Sequence, residues 1–410
     1  MKVPRQPEVN IGMVGHVDHG KTTLTNALTG EWTDRHSEEM KRGISIRLGY
    51  ADAAFYRCRN CTEPECYCNS EICPSCGKDT ELERVVSFVD SPGHETLMAV
   101  MLSGAAIMDG ALLVIAANEK CPQPQTREHL EALEILGIKD IVIAQTKIDL
   151  VPEERIRESY REIKGFIKNT VAEDSKIIPV SAHRRANIDA LIKELIDRIP
   201  LPDYQLEKPP VMSILRSFDI NRPGATPKDL RGGVLGGSVV QGRLEIGDEI
   251  EVRPGIKKEE HNKVVWDPIF SEVISLKSGE LDIDIAKSGG LIAVGTSLDP
   301  SLTKADSLAG QTLGRPGILS DVLFDLNMEV SLLDRVVGLE GDIPVEPIKT
   351  MEPLMLNVGS ATTVGTVKST KGDLIYVTLK VPVCPARSQR VAVSRRFGSR
   401  WRLIGYGILK

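Results

Sequence analysis

The chain has 410 residues, of which 41% are hydrophobic and 26% charged, and its formal net charge is -6. This length predicts about two to four domains, the composition excludes a largely disordered protein, and the acidic balance argues against a protein that coats nucleic acid without selection. The first nine residues are polar and no long apolar run follows, so we expect a cytoplasmic protein with no membrane partner.

Short apolar runs alternate with amphipathic stretches over residues 9–200. The apolar runs are rich in β-branched residues and predict buried strands, whereas the amphipathic stretches predict helices. This alternation predicts an α/β domain with a mostly parallel, doubly wound sheet. The predicted strands are Val9–Val14, Val85–Val89, Ala111–Ala117, Ile141–Ala144 and Ile177–Val180, and the predicted helices are Thr22–Leu28, Thr126–Leu136, Glu153–Thr170 and Asn187–Ile199.

A cluster of prolines between residues 200 and 210 predicts a linker. Beyond it, glycines and prolines recur and short alternating runs replace the helical patterns, which is typical of β-barrels. About 200 residues suit two small barrels better than one. We therefore expect domains at 1–202, 203–325 and 326–410, the last boundary resting partly on the resemblance described below.

Residues 15–22 read GHVDHGKT and fit the phosphate-binding pattern GxxxxGK[ST] between a predicted strand and a predicted helix. Backbone N–H groups of such a loop surround phosphate oxygens, Lys21 is expected to bridge the outer phosphates, and Thr22 to bind Mg²⁺. A tight turn with an incidental lysine is the competing interpretation, and the flanking elements argue against it. The other residues predicted to bind nucleotide here are Val17, Asp18, His19, Gly20 and Thr23.

The segment QTKID at residues 145–149 ends an apolar strand, where an α/β sheet binds ligands. A carboxylate at Asp149 accepts from both N1–H and the exocyclic amine of guanine, so we expect selection of GTP and GDP. Thr146 and Lys147 of the same segment are also predicted to bind the nucleotide. Ser181 and Ala182, after the last strand, are a second candidate base contact, for which an ordinary loop is an equally good interpretation.

Residues 90–94 read DSPGH and follow the strand Val85–Val89. We expect Asp90 to hold Mg²⁺, Gly93 to reach the γ-phosphate, and His94 to orient the attacking water, so that His94 and Lys21 are the candidate catalytic residues. Ser45 is expected to give Mg²⁺ a second hydroxyl when GTP is bound and thereby to order the preceding loop.

Six of the eight cysteines lie between residues 58 and 76, which favours metal binding over disulfides. Two Cys-x₂-Cys pairs separated by 11 residues predict a structural Zn²⁺ site, with a metal-free site as the alternative. Cys66 and Cys68 are interpreted as loop residues. The predicted ligands are Cys58, Cys61, Cys73 and Cys76, within an insertion at 57–78.

Five segments together resemble the translational GTPase family: GHVDHGKT, RGIS, DSPGH, PQTREH and TKID, in that order. The end of the chain, SRWRLIGYG at 399–407, resembles the gamma-subunit family of archaeal/eukaryotic-type initiation factor two. That resemblance implies a GTPase domain related to elongation factor Tu, a zinc ribbon between the switch segments, and two β-barrels. Thr146 stands where Asn is usual, and Ser45 where Thr is usual. The residues onto which the family's roles transfer are Gly20, Lys21, Thr22, Ser45, Asp90, Gly93, His94, Lys147 and Asp149.

The resemblance also implies binding of initiator methionyl-tRNA, a heterotrimer with alpha and beta subunits, and the small ribosomal subunit. Alternating arginines from Arg387 to Arg402 are a candidate phosphate-binding face, with a solvated barrel surface as the alternative. Three other functions stay open at this point: a specialised elongation factor, a GTP-binding scaffold without useful hydrolysis, and an RNA-binding zinc-ribbon protein with an incidental loop.

Overall fold

The computed structural model describes residues 3–32, 49–91, 98–203, 205–221, 224, 226, 230–261, 263–336, 343–386 and 389–410. The chain divides into two compact units, Met1–Pro202 with Arg335–Pro344, and Asp203–Asp334 with Val345–Lys410. The predicted site residues Ser45, Gly93 and His94 lie outside the described residues. Within the described part, no helix has the length and apolar character needed to cross a membrane.

The first unit is built on a seven-stranded sheet in the order β3-β2-β4-β1-β5-β6-β7. Strands β4, β1, β5, β6 and β7 are parallel, and β2 runs antiparallel to β4. The predicted α/β architecture is therefore confirmed. The strands are β1 (Val9–Val14), β2 (Gly49–Arg57), β3 (Tyr67–Cys68), β4 (Glu81–Asp90), β5 (Gly110–Ala116), β6 (Ile141–Thr146) and β7 (Ile177–Pro179).

Five helices connect these strands in the described part of the unit. Four of them match the predicted helices, with ends that differ by at most three residues. The helices are α1 (Lys21–Thr29), α2 (Met98–Ala105), α3 (Pro124–Leu136), α4 (Glu153–Ile167) and α5 (Ile188–Arg198).

The register of the sheet places the motifs together. Met13, near the end of β1, lies opposite Asp90, the last residue of β4. Ala116 at the end of β5 lies opposite Thr146 at the end of β6. Since the carboxyl ends of parallel strands share one edge, the phosphate loop, Asp90 and the QTKID segment meet there.

The first part of the second unit is a six-stranded barrel in the order β11-β16-β8-β9-β15-β12, closed by pairing of β11 with β12. Its core is aliphatic, since inward-facing residues alternate with outward ones. Its strands are β8 (Val211–Phe218), β9 (Val234–Gln241), β11 (Glu249–Glu260), β12 (Lys263–Ser278), β15 (Ile292–Thr296) and β16 (Thr312–Gly314), with short strands β10 (Arg243–Glu245), β13 (Leu281–Ile283) and β14 (Ile285–Lys287).

The remainder of the second unit is a closed barrel in the order β17-β20-β19-β18-β21-β22. Two barrels after the α/β domain were predicted, and this is confirmed. The predicted boundary at 325/326 falls inside β17. The strands are β17 (Leu323–Leu332), β18 (Pro353–Val358), β19 (Ala361–Lys371), β20 (Leu374–Val383), β21 (Arg390–Phe397) and β22 (Arg400–Leu409).

The candidate arginine face on β21 and β22 is not a uniform exposed surface. Arg395 forms an ion pair with Glu352 and donates to the carbonyl oxygen of Glu346 at 2.8 Å. Arg402, which lies opposite Arg395, is only 5% exposed. The expectation is therefore wrong for these two residues, because Arg395 is paired with Glu352 and Arg402 is buried. Arg390, Arg396 and Arg400 are exposed, and a phosphate-binding role for them stays a prediction. Arg387 lies outside the described residues.

Candidate nucleotide site

The phosphate loop passes tightly over the sheet between β1 and α1. Gly15 has a φ of +141°, and a Cβ there would lie 2.3 Å from the carbonyl oxygen of Val114 in β5. Only glycine allows this approach. Gly20 precedes α1 with a φ of +86°, in the left-handed region. These two glycines give the loop its curvature, and the N-terminus of α1 faces the space that the loop encloses.

Lys21 lies across this loop and is largely buried. Its Nζ donates to the carbonyl oxygens of Gly15 at 2.9 Å and His16 at 2.8 Å. The ammonium group is therefore held inside the curve of the loop. Of the other predicted loop residues, Val17 is half-buried, whereas Asp18 and Thr23 are exposed.

Thr22 and Asp90 come together although 68 residues separate them. The Thr22 hydroxyl donates to Asp90 Oδ2 at 3.0 Å, and Asp90 is fully buried at the end of β4. A hydroxyl and a carboxylate are the hard oxygen ligands that Mg²⁺ takes beside substrate phosphates. These two residues thus fit the predicted metal site, and the third predicted ligand, Ser45, lies outside the described residues.

Thr146, which stands where Asn is usual, supports the phosphate loop directly. The Thr146 hydroxyl donates to the carbonyl oxygen of His19 at 2.7 Å. This bond ties the end of β6 to the phosphate loop. Lys147 follows with a φ of 57°, so the chain turns sharply before Asp149.

Asp149 is exposed at the sheet edge, beside a turn formed by residues 181–186. A hydrogen bond from the buried Ser181 side chain is the main cause that lowers the pKa of the Asp149 carboxyl. The carboxylate therefore stays ionised at neutral pH, as an acceptor for two N–H groups requires. Ala182 is half-buried in the same turn.

His129 supports the phosphate loop, although nothing assigned it a role from the sequence. It lies in α3, is 2% exposed, and its Nδ1 accepts a hydrogen bond from Gly15 N at 2.8 Å. His19, which is 1% exposed, lies 3.0 Å from the Val114 carbonyl oxygen through its Nδ1. The segment PQTREH carried His129 within the family pattern. A single histidine in a predicted helix does not indicate a hydrogen bond to a residue 114 positions away in the sequence.

These two histidines predict a loss of stability in mild acid. Burial is the main cause that lowers the pKa of both His19 and His129 to about 3, far below the ordinary value of about 6.5. Between these values the unfolded chain binds protons that the folded chain excludes. Stability is therefore fully present above pH 6.5 and falls as the pH drops towards 3. At pH 5 we expect a loss of about 2 kcal/mol for each histidine.

The measurement is the free energy of unfolding of the full chain at pH 7 and pH 5, compared with a His129→Asn variant. The asparagine Oδ1 can accept from Gly15 N but does not titrate. The variant is expected to lose about 2 kcal/mol less than the parent on acidification. An equal loss in both proteins would contradict a neutral, buried His129.

The four predicted zinc ligands form one cluster within the insertion. The Sγ atoms of Cys58 and Cys76 are 3.5 Å apart, those of Cys61 and Cys73 are 3.7 Å apart, and all four lie within 4.8 Å of one another. Tetrahedral Zn²⁺ with sulfur at about 2.3 Å requires sulfur–sulfur distances of about 3.8 Å. The cysteines therefore fit Zn²⁺. Four protein ligands would fill its tetrahedral coordination shell, so no position would stay open for a catalytic water or a substrate.

The two remaining thiols of the insertion lie elsewhere. Cys66 is buried, and its carbonyl oxygen accepts a hydrogen bond from Cys58 N at 2.8 Å. Cys68 lies in strand β3 rather than in a loop, and its Sγ donates to the Ser70 carbonyl oxygen at 3.3 Å. Both cysteines therefore take part in the structure of the insertion and lie outside the four-sulfur cluster.

Comparison with known proteins agrees with this geometry. Residues 6–201 match the family described as Elongation factor Tu GTP binding domain. Residues 324–409 match the family described as Initiation factor eIF2 gamma, C terminal. The first match covers the phosphate loop, Asp90 and Asp149, so this unit is a translational GTPase domain that binds GTP and GDP.

Two relatives of nearly the same length carry the same name. The chain is 60% identical to translation initiation factor 2 subunit gamma of Methanothermobacter thermautotrophicus, over 99% of each chain. It is also 60% identical to the protein of that name from Archaeoglobus fulgidus, over 98% of this chain and 95% of that one.

A solved structure shares the fold at lower identity. The bacterial selenocysteine-specific elongation factor EF-Sec superposes with a TM-score of 0.75 and 24% identity over 99% of this chain, which spans 58% of that protein's length. This similarity concerns the fold alone. The full-length identity of 60% disfavours the elongation alternative, and the chain belongs to the translation initiation factor 2 gamma-subunit family.

Proposed function

We propose that this chain is a guanine-nucleotide switch that carries initiator methionyl-tRNA to the small ribosomal subunit and releases it after GTP hydrolysis. In this proposal it works in a heterotrimer with alpha and beta subunits, in the cytoplasm. The single observation that carries the nucleotide part is the 3.0 Å contact between the Thr22 hydroxyl and the buried Asp90 carboxylate. The names of the relatives support the initiation part.

The phosphates lie in the loop around Lys21 in this proposal. The ammonium now bonded to the carbonyls of Gly15 and His16 would turn to the outer phosphates, and the backbone N–H groups of the loop would donate to them. Thr22, Asp90 and Ser45 would hold Mg²⁺, which neutralises charge on the β- and γ-phosphates when it is bound. The cluster of Cys58, Cys61, Cys73 and Cys76 would hold Zn²⁺ and stabilise the insertion.

The guanine base would be read at the other end of the sheet edge. Asp149 would accept from the guanine N1–H and amine, and the Lys147 stem would cover the base. Thr146 would act indirectly, by holding the His19 carbonyl oxygen. Ser181 would keep Asp149 ionised and in place.

The switch and the hydrolytic step are proposed from sequence. Ser45 would order the first switch when GTP is bound, and Gly93 would sense the γ-phosphate. His94 would orient the attacking water, while Lys21 stabilises negative charge. No arginine finger is evident in the sequence, so we expect slow hydrolysis without an activator.

A His94→Ala variant tests this step. Ribosome-dependent GTP hydrolysis is expected to fall by about a hundredfold or more, while GDP affinity stays within about twofold, because His94 acts on water rather than on the nucleotide. His261→Ala, which changes an exposed histidine between β11 and β12 of the first barrel, is the matched control. Unchanged turnover in His94→Ala would contradict the proposed mechanism and favour a scaffold that binds GTP structurally.

A further inference from the structure

Three segments that are distant in sequence meet at the carboxyl end of α1. Asn69, directly after β3 in the cysteine insertion, is 8% exposed and donates through Nδ2 to the carbonyl oxygens of Ala27 at 3.1 Å and Leu28 at 2.8 Å. Arg185 donates through Nη2 to Asn69 Oδ1 at 2.9 Å and through Nη1 to the Ala27 carbonyl oxygen at 3.1 Å. We call Asn69 and Arg185 the helix clamp.

The clamp satisfies groups that a helix cannot satisfy by itself. The last four carbonyl groups of an α-helix have no partner within the helix. In α1 the carbonyl oxygen of Asn26 accepts from Gly30 N at 2.8 Å, and the clamp supplies donors for the next two. The positive guanidinium of Arg185 also complements the negative end of the helix dipole. The end of α1 opposite the phosphate loop is therefore fixed.

Arg185 links this helix end to the base-recognition turn. Residues Ser181 and Ala186 pair through two backbone hydrogen bonds, of 3.3 Å and 3.0 Å. Arg185 lies inside the turn they close, and Ser181 at its start bonds to Asp149. One short turn thus contacts both the base-recognition carboxylate and the end of α1.

The opposite end of α1 carries Lys21 and Thr22. The helix has nine residues, so its two ends are separated by about 13 Å. A short helix held at its carboxyl end transmits any displacement of that end to the phosphate loop. The clamp therefore joins the phosphate part and the base part of the site through the insertion.

We infer that Asn69 and Arg185 are positioning residues for the nucleotide, so that the cysteine insertion tightens guanine-nucleotide binding. This inference rests on the proposed function. The hydrogen bonds of both side chains go to the carboxyl end of α1 and to each other. They act by fixing the phosphate helix relative to the Ser181–Ala186 turn.

The test is the dissociation rate of a fluorescent GDP, N-methylanthraniloyl-GDP, from the full chain at 25 °C. Asn69→Ala and Arg185→Ala are expected to speed dissociation by about threefold to tenfold, as loss of one or two hydrogen bonds predicts. Asn69→Asp keeps an acceptor for Arg185 but loses both donors to α1, and is expected to behave like Asn69→Ala. The double variant is expected to add little, because the two residues act as one unit.

Two matched controls separate positioning from general weakening. Ser70→Ala removes a neighbouring side chain whose hydroxyl donates to the Ile72 carbonyl oxygen, and Arg198→Ala removes another arginine that donates to a backbone carbonyl. Both are expected to stay within about twofold of the parent rate. Arg185→Lys, which keeps the charge but lacks the forked donor, replaces Arg185→Ala if that variant does not fold.

The melting temperature of the nucleotide-free chain is measured in parallel. A purely structural role would lower this temperature and leave the dissociation rate unchanged, and such a result for both clamp residues would overturn the inference alone. Faster dissociation in variants that are folded at 25 °C supports it. Absence of GDP binding by the parent chain would instead overturn the proposed function, and this inference with it.

Discussion

An Asp149→Asn variant is expected to bind GDP and GTP about a hundredfold more weakly than the parent, and to gain binding of xanthine nucleotides. The carboxylate accepts hydrogen bonds from two guanine donors, whereas an asparagine side chain has one acceptor, its carbonyl oxygen, and one donor group, its NH₂. Xanthine presents a carbonyl where guanine presents its amine, so it matches asparagine. The buried Ser181 that keeps Asp149 ionised is expected to hold the asparagine in the same place.

The measurement is equilibrium binding of GDP and of xanthosine diphosphate to both proteins. Asp174→Asn, the same chemical change at an exposed position before β7, is the control and should leave GDP binding unchanged. Equal loss of both nucleotides in Asp149→Asn would indicate local unfolding rather than base recognition. Retained GDP affinity would place the base elsewhere.

A Cys73→Ser variant is expected to lose one equivalent of bound zinc and to melt about 10 °C lower than the parent. Cys73 is 1% exposed and packs in the core of the first unit. Backbone N–H groups of Cys76 and Ser75 favour its thiolate and, against the opposing effect of burial, lower its pKa to about 7. Structural Zn²⁺ contributes directly to folding, and loss of about 3–5 kcal/mol corresponds to this shift in a domain of this size.

Cys66→Ser and Cys68→Ser are the matched controls, since both change buried thiols of the same insertion outside the four-sulfur cluster. Each is expected to retain one equivalent of zinc by metal analysis. Loss of zinc from a control, or its retention in Cys73→Ser, would contradict the assignment of ligands. Absence of metal in the parent chain purified without chelator would favour the metal-free alternative.

Local sequence patterns were enough to predict much of the architecture. The five parallel strands are compact, β-branched-rich runs, and four helices show clear amphipathic spacing. Strand β2 has the sequence GYADAAFYR, whose three alanines and one aspartate give a weak strand signal. Helix α2 is apolar almost throughout and has no polar face. Its sequence therefore lacks the alternation of apolar and polar residues, with a period of 3.6, that predicts a helix.

The supporting contacts of the site were not predictable in the same way. The bonds from Thr146 to the His19 carbonyl and from Gly15 to His129 span 127 and 114 residues. The spacing of the motifs does not predict these hydrogen bonds, because they depend on which loops the sheet brings together at one edge. The helix clamp is of the same kind. The arginine pattern near the C-terminus was wrong only for Arg395 and Arg402, since alternation along a strand does not reveal which side chains the barrel pairs or buries.

In the proposed function, GTP controls the binding of initiator methionyl-tRNA. The most direct measurement is protection of this aminoacyl-tRNA from deacylation, compared with an elongator aminoacyl-tRNA, with a non-hydrolysable GTP analogue or GDP, and with and without candidate alpha and beta subunits. If GTP controls this binding, we expect protection of the initiator alone, and only with the GTP analogue. Equal protection of elongator aminoacyl-tRNAs, or protection that ignores the nucleotide, would contradict it.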